Sequence, residues 1–232
     1  MRGRKNTEKW NVVIEAQSTE QMEQRFSKLG PDTLSRKTGV RSNESTELWT
    51  IRKYLSIRLQ RANISFPLNL QAGDRPDFRL QEGEAVAGVE VTVATHQGTQ
   101  IAYQQAEELG LTQFSVCALA RENSSIPIKA NAIRNHLQDL NAPQAPYYGS
   151  EVEDELFALL NGAIKKKLVA LNKTDFERFP SNYLLIYENS GLPCILWDKV
   201  DILRLRSSNT NHSGCRFDKI IVLSNGDLIE VA

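Results

Sequence analysis

Cysteine is scarce in this chain: three in 232 residues, Cys117, Cys194 and Cys215. An odd number at wide spacing excludes a disulfide scaffold and suits a reduced, cytoplasmic protein. Long apolar runs are missing as well. No window approaches the ~18 uninterrupted apolar residues that a membrane helix needs. The opening MRGRKNTEKW carries basic residues with no apolar stretch behind them, so neither a membrane partner nor a secretory signal is expected. An excess of one charge is also absent, with 28 Lys+Arg against 28 Asp+Glu, which excludes coating of nucleic acid by bulk charge alone. No Walker loop, dinucleotide-binding glycine motif or Gly-x-Ser-x-Gly elbow is present. Cys194, His212 and Cys215 lack the paired Cys-x-x-Cys spacing of a zinc site.

What remains is an ordinary soluble composition, 41% hydrophobic and 24% charged, on a chain long enough to bury a sizeable core. The neutral total conceals an asymmetry. Residues 1–62 carry 13 Lys+Arg against 7 Asp+Glu, whereas residues 63–163 carry 5 against 13. A basic front beside an acidic middle is the distribution of a phosphate-binding surface flanking metal-binding carboxylates, and equally of solvated surfaces that happen to segregate.

The first 41 residues read as a polar extension with a short helix over Glu20–Leu29, stopped by Gly30-Pro31. Residues 42–232 read as one domain with an insertion around 110–150. Ser42-Asn43 offers an N-cap for a helix running to about Ala62. Short apolar runs follow at Ile64–Leu70, Phe78–Leu80 and Val86–Val93, with Gly83 as a turn. Thr99–Leu109 predicts a helix, Phe114–Ala120 a strand and Ile133–Leu140 a short helix, before a Pro- and Gly-containing loop at Asn141–Ser150. A long helix is expected over Val152–Leu171, then strands at Tyr183–Tyr187 and Cys194–Trp197. Asn225-Gly226 between Ile220–Leu223 and Leu228–Val231 is the strongest hairpin signal. The order is that of an α/β fold, bordering on α+β: a central mixed β-sheet flanked by helices.

The most informative stretch runs from Arg75-Pro76-Asp77-Phe78-Arg79-Leu80 to Gly88-Val89-Glu90-Val91-Thr92-Val93. Each run alternates, with Phe78 and Leu80 opposite Asp77, and Val89, Val91 and Val93 opposite Glu90 and Thr92. Joined by an even-numbered loop around Glu82-Gly83, the two strands place Asp77, Glu90 and Thr92 on one side of a hairpin. An odd loop or a bulge separates them. Two carboxylates on adjacent strands make a hard oxygen site suited to Mg²⁺ or Mn²⁺. Such an ion activates water and neutralises charge on a phosphodiester.

Pro76-Asp77, followed thirteen residues after the aspartate by Glu90-Val91-Thr92, resembles the PD-(D/E)xK nuclease superfamily, whose members share the restriction-endonuclease-like core. The resemblance spans roughly residues 44–187 and rests on a handful of positions. It implies that Asp77 and Glu90 bind the metal, with the main-chain carbonyl of Val91 as a further ligand. The family pattern places a lysine where this chain has Thr92. That lysine orients the attacking water and stabilises developing negative charge.

A replacement lysine lies on the long helix. At about 100° per residue, Leu156, Leu160, Ala163, Ile164, Leu168 and Leu171 form one apolar stripe, and Lys167 falls near its centre. A lysine there either snorkels at an edge or meets an anion, and members of the superfamily are known to relocate the lysine in this way. On the helix after Ser42, the stripe Leu48, Ile51, Leu55, Leu59 and Ala62 has Glu44 and Glu47 beside it. The superfamily often takes an acid from this helix, and Glu47 is the residue expected.

Arg52, Lys53, Arg58, Arg61, Arg75 and Arg79 are candidate phosphate contacts. The helix after the Glu90 strand carries Gln100, Gln104 and Gln105, where some relatives place a substrate-touching glutamine. His96 is a further candidate base or phosphate contact. The expectation is a Mg²⁺- or Mn²⁺-dependent nuclease acting on nucleic acid, DNA before RNA, with homodimers common among relatives. The alternative is an inactive nucleic-acid-binding or regulatory module of the same fold, for which Thr92 speaks.

Overall fold

A computed structural model describes residues 10–29, 43–95, 105–106, 108–110, 149–192, 195–209 and 214–232. Within them, four helices flank a seven-stranded mixed sheet, an α/β arrangement. The strands are β1 (Asn11–Ala16), β2 (Leu68–Ala72), β3 (Phe78–Glu82), β4 (Ala85–Ala94), β5 (Ser181–Glu188), β6 (Lys219–Ser224) and β7 (Asp227–Glu230). The helices are α1 (Thr19–Lys28), α2 (Asn43–Gln60), α3 (Glu151–Leu171) and α4 (Ile202–Ser208).

Strand order follows chain order across the whole sheet. β1 to β4 form an antiparallel meander, β4, β5 and β6 run parallel, and β7 closes the sheet as an antiparallel edge. Parallel neighbours need a crossover. α3 supplies one between β4 and β5, and α4 another between β5 and β6. Both crossovers proceed in the same direction along the sheet, so their helices lie on one face. There Leu156, Leu160, Ile164 and Leu168 of α3 pack with Leu184, Ile186, Ile220 and Val222, joined by Leu205 of α4. α1 and α2 cover the other face, where Met22, Phe26, Ile51 and Leu55 bury against Leu70, Phe78, Leu80, Val89 and Val91.

The turn between β3 and β4 decides where the acids fall. Glu82 pairs with Ala85, leaving the two-residue loop Gly83-Glu84. Gly83 has φ +59°, which matches the first central position of a II′ hairpin turn and is unfavourable for any residue with a Cβ. The loop is even-numbered, and Phe78 pairs with Val89. Asp77 therefore stands opposite Glu90. The β6–β7 hairpin likewise turns at Asn225-Gly226, with both residues at positive φ.

The helix expected at Glu20–Leu29 is formed as α1, whereas two elements, β1 and α4, lie where none is expected. β1 adds an edge strand, and α1 buries Met22 and Phe26, so residues 11–28 are part of the sheet and its cover. A bulge between Val12 and Ile14 breaks the alternation of β1. α4 occupies residues that carry no helix expectation. Conversely, the strand expected at Cys194–Trp197 is not formed by its described residues: Trp197–Lys199 make a short 3₁₀ turn. The Leu196 N–H donates to the buried carboxylate of Glu153 at 3.1 Å instead of to a ladder. Of the helix expected at Thr99–Leu109, Gln105, Ala106 and Glu108 are helical. Leu109 is in a turn, and the other residues of that expected helix, the strand at Phe114–Ala120, the helix at Ile133–Leu140 and most of the loop before Ser150 lie outside the described residues. No helix among the described residues is long and apolar enough to cross a membrane.

Candidate active site

The site forms where β3 begins. Pairing of β3 with β4 starts at Phe78–Val89, so the next β4 amide facing that edge, that of Val91, has no backbone partner on β3. The Asp77 carboxylate takes its place: Val91 N–H donates to Asp77 Oδ2 at 2.7 Å. A buried backbone donor is thus satisfied, and the aspartate is fixed against β4. The carbonyl and N–H of a strand residue point to the same edge, so the Val91 carbonyl faces the Asp77 side too.

Glu90 projects from the opposite side of the strand to Val89 and Val91, onto the face covered by α3. It is 5% exposed. Lys167 descends from α3 onto the same spot. Its Nζ lies 2.7 Å from Glu90 Oε1 and 3.7 Å from Asp77 Oδ2. Ile164 and Leu168 of the apolar stripe beside it are buried, and the Lys167 side chain is 17% exposed. Thr92, two residues along β4 from Glu90, shares its face and is half-buried.

Burial and charge set the protonation balance. Removal from water pushes the Asp77 carboxyl above its ordinary value, and the charge of Asp74 adds to this. The Lys167 ammonium and the Val91 N–H oppose the shift. Glu90 is likewise raised, first by burial and then by the negative charge of Asp77, against the pull of Lys167. Two buried carboxylates share one ammonium, and negative charge is left over. One oxygen, Glu90 Oε2, is buried with no hydrogen-bond partner among the described residues.

The turn carrying Asp77 is held from two sides. Gly73 N–H donates to the Asp77 carbonyl at 2.9 Å. The segment after α3 packs against the turn: Glu177 N–H donates to the Arg75 carbonyl at 3.1 Å, and Arg75 ion-pairs with Asp175. Beneath lies Gly88 of β4. A Cβ there would fall 2.7 Å from the Phe179 ring and 2.8 Å from the Pro76 ring. The absent side chain lets both rings sit on the strand two residues before Glu90, and Pro76 directly precedes Asp77 in the chain. Asn182 braces Phe179, accepting from its N–H at 3.2 Å and donating to its carbonyl at 3.0 Å. Trp10 meets Phe179 edge-on, with centroids 5.7 Å apart, and lies over Gly73. These supports carry no local sequence signal except one: a glycine inside an apolar strand marks a close approach.

The structure therefore brings together Asp77, Glu90, Val91 and Lys167, with Thr92 beside them. Glu47 stands half-buried near the start of α2, on the helix that covers the opposite sheet face. Arg79 lies two residues beyond Asp77 on the same side, donating to Gln71 at 3.3 Å. Arg75 flanks the turn. The other candidate phosphate contacts are elsewhere. Arg58 is tied to Glu82 at 2.7 Å and to Tyr54 at 3.2 Å, at the far end of the β3–β4 hairpin. Burial pushes Tyr54 up to about 12. Arg52 is buried over the Phe26 ring of α1, and Lys53 is half-buried on α2. Arg61 pairs with Asp227. Gln104, Gln100 and His96 lie outside the described residues, as do Cys194 and His212 and the Glu44 side chain.

The donor set suits Mg²⁺ or Mn²⁺. Mg²⁺ is commonly held by one or two carboxylates and keeps several waters, and the centre offers two carboxylates, one with an orphaned oxygen, and a carbonyl on the same edge. Among the described residues there is no group of three or more His, Cys, Asp or Glu side chains that could hold a metal ion. The chain matches no protein-family profile, no curated protein and no solved structure.

Proposed function

We propose that this protein is a metal-dependent nuclease of the PD-(D/E)xK type that hydrolyses phosphodiesters in nucleic acid, DNA in the first instance. The observation that carries the reading is the convergence of Lys167 on both Asp77 and Glu90 from a different element. An order of helix, three-stranded meander, crossover helix and parallel strand, from α2 to β5, supports the restriction-endonuclease-like core.

In this reading Asp77, Glu90 and the Val91 carbonyl would hold Mg²⁺ or Mn²⁺, which would supply water activation and charge neutralisation at the scissile phosphate. The Val91 N–H fixes the Asp77 carboxylate in one orientation. Lys167 supplies the positive charge that the motif lysine gives its relatives, and stabilises negative charge as it develops on the phosphate oxygens. Arg79 and Arg75 contact flanking phosphates. Thr92 favours the second reading, an inactive module of the same fold. Lys167 answers it, because the missing ammonium arrives from α3.

Purified protein with Mn²⁺ or Mg²⁺ is expected to cut DNA, and Lys167→Met to cut at least about a hundredfold more slowly, the range typical for loss of one preorganised electrostatic contact. Unchanged cleavage by Lys167→Met rules out the relocated lysine.

A further inference from the structure

The Lys167 ammonium sits where a divalent cation would have to bind. Its Nζ touches Glu90 Oε1 at 2.7 Å and lies 3.7 Å from Asp77 Oδ2, while Glu90 Oε2 is buried and has no hydrogen-bond partner among the described residues. A Mg²⁺ ion binds oxygen ligands at about 2.0–2.1 Å. An ion drawing on both Asp77 and Glu90 would stand within a few ångströms of Nζ if the lysine kept its place. Two positive charges that close in a site sheltered from water repel strongly. The lysine stem is flexible and its side chain retains a solvent-facing share, so it has somewhere to go.

We infer that Lys167 is the resident counter-ion of the metal-free protein, and that a divalent cation enters by exchange with its ammonium. This rests on the metal-binding reading above and adds to it. In the metal-free state the lysine offsets part of the negative charge of two buried carboxylates that would otherwise repel. When the ion takes Glu90 and Asp77, the ammonium leaves Glu90 Oε1 and becomes free to meet an anionic oxygen of the substrate. The same residue thus weakens metal binding and readies itself for the phosphate.

The test is a Mn²⁺ titration of the full-length protein by calorimetry, without nucleic acid, with thermal melts in parallel. Wild type, Lys167→Met, Lys167→Gln, Lys167→Arg and Asp77→Asn are compared. Removing the charge is expected to tighten Mn²⁺ binding by about tenfold or more, which corresponds to roughly 1.4 kcal/mol. It is also expected to enlarge the Mn²⁺-induced rise in melting temperature. Lys167→Arg keeps the charge and is expected to bind like wild type. Lys167→Gln, which can still donate to Glu90, covers the case in which Lys167→Met does not fold without metal. Wild-type binding that is lost in Asp77→Asn but equal or weaker in the Met and Gln variants overturns the exchange and leaves the metal site standing. No Mn²⁺ binding in any of the proteins overturns the metal site, and the exchange with it.

Discussion

Lys167 and Glu90 are 77 residues apart in sequence, one on a helix and one on a strand, and their charged atoms meet at 2.7 Å. A lysine placed in an apolar helical stripe costs stability unless an anion receives it, and a buried glutamate has the same need for a cation. Each is the reason the other is tolerated. A pair of this kind is a weak source of stability when compared with apolar packing, so its presence points to chemistry at the site more than to the fold.

The protonation balance predicts a pH dependence. Asp77 and Glu90 are both raised above their ordinary values of 3.8 and 4.5. Between the ordinary and the raised value the folded state binds more protons than the unfolded, so stability falls as pH climbs through that interval. Metal-free protein is expected to lose stability from about pH 4 upward. Glu90→Gln, which cannot titrate there, loses less over the same range. Thermal melts in chelator at successive pH values check this, and parallel curves for the two proteins contradict it.

Gly88 is expected to be irreplaceable for a reason of packing. In Gly88→Ala the new Cβ would meet the Phe179 and Pro76 rings at 2.7 and 2.8 Å. Overpacking of this order costs about 1–3 kcal/mol, and displacement of Pro76 moves Asp77. Both the melting temperature and Mn²⁺ affinity should fall. Gly162, on α3, has open space around it. Gly162→Ala should therefore stabilise the protein, by up to about 1 kcal/mol, with metal affinity unchanged. Denaturant unfolding of the two variants separates these outcomes.

Arg79 and Arg58 should part company. Arg79 shares the side of the hairpin on which Asp77 lies, whereas Arg58 is held by Glu82 and Tyr54 at the far end. Arg79→Ala is expected to weaken nucleic-acid binding and to lower the slope of affinity against salt by about one phosphate contact. Arg58→Ala should leave that slope alone and cost about 1–3 kcal/mol of stability, because it strands the largely buried Glu82. Binding measured across a salt series, with unfolding curves, distinguishes the two.

Much of the centre is legible in the sequence. Alternation along β3 and β4 put Asp77 and Glu90 on one side, given an even loop, and Gly83 supplies the turn that makes it even. The helical period placed Lys167 among Leu160, Ile164 and Leu168. These are short-range regularities, fixed by strand and helix geometry. The parts that escaped depend on long-range packing. Trp10 and Phe179 reach the sheet from segments far apart in sequence, and only the glycine within β4 hints at them. β1 escaped because its bulge breaks the period-two pattern, and its neighbourhood is polar. The basic front divides for a similar reason: charge counts do not tell an arginine bound to Glu82 from one beside the site.

The most direct measurement is cleavage of plasmid DNA and of single-stranded RNA by purified protein in Mn²⁺ or Mg²⁺, comparing wild type with Asp77→Asn. The wild type should cut DNA only with the metal present, and Asp77→Asn should be slower by at least about a hundredfold, more than outer-shell changes at metal sites usually cost. A wild type that cuts neither nucleic acid, or an Asp77→Asn that cuts as fast as wild type, would contradict a nuclease centred on Asp77, Glu90 and Lys167.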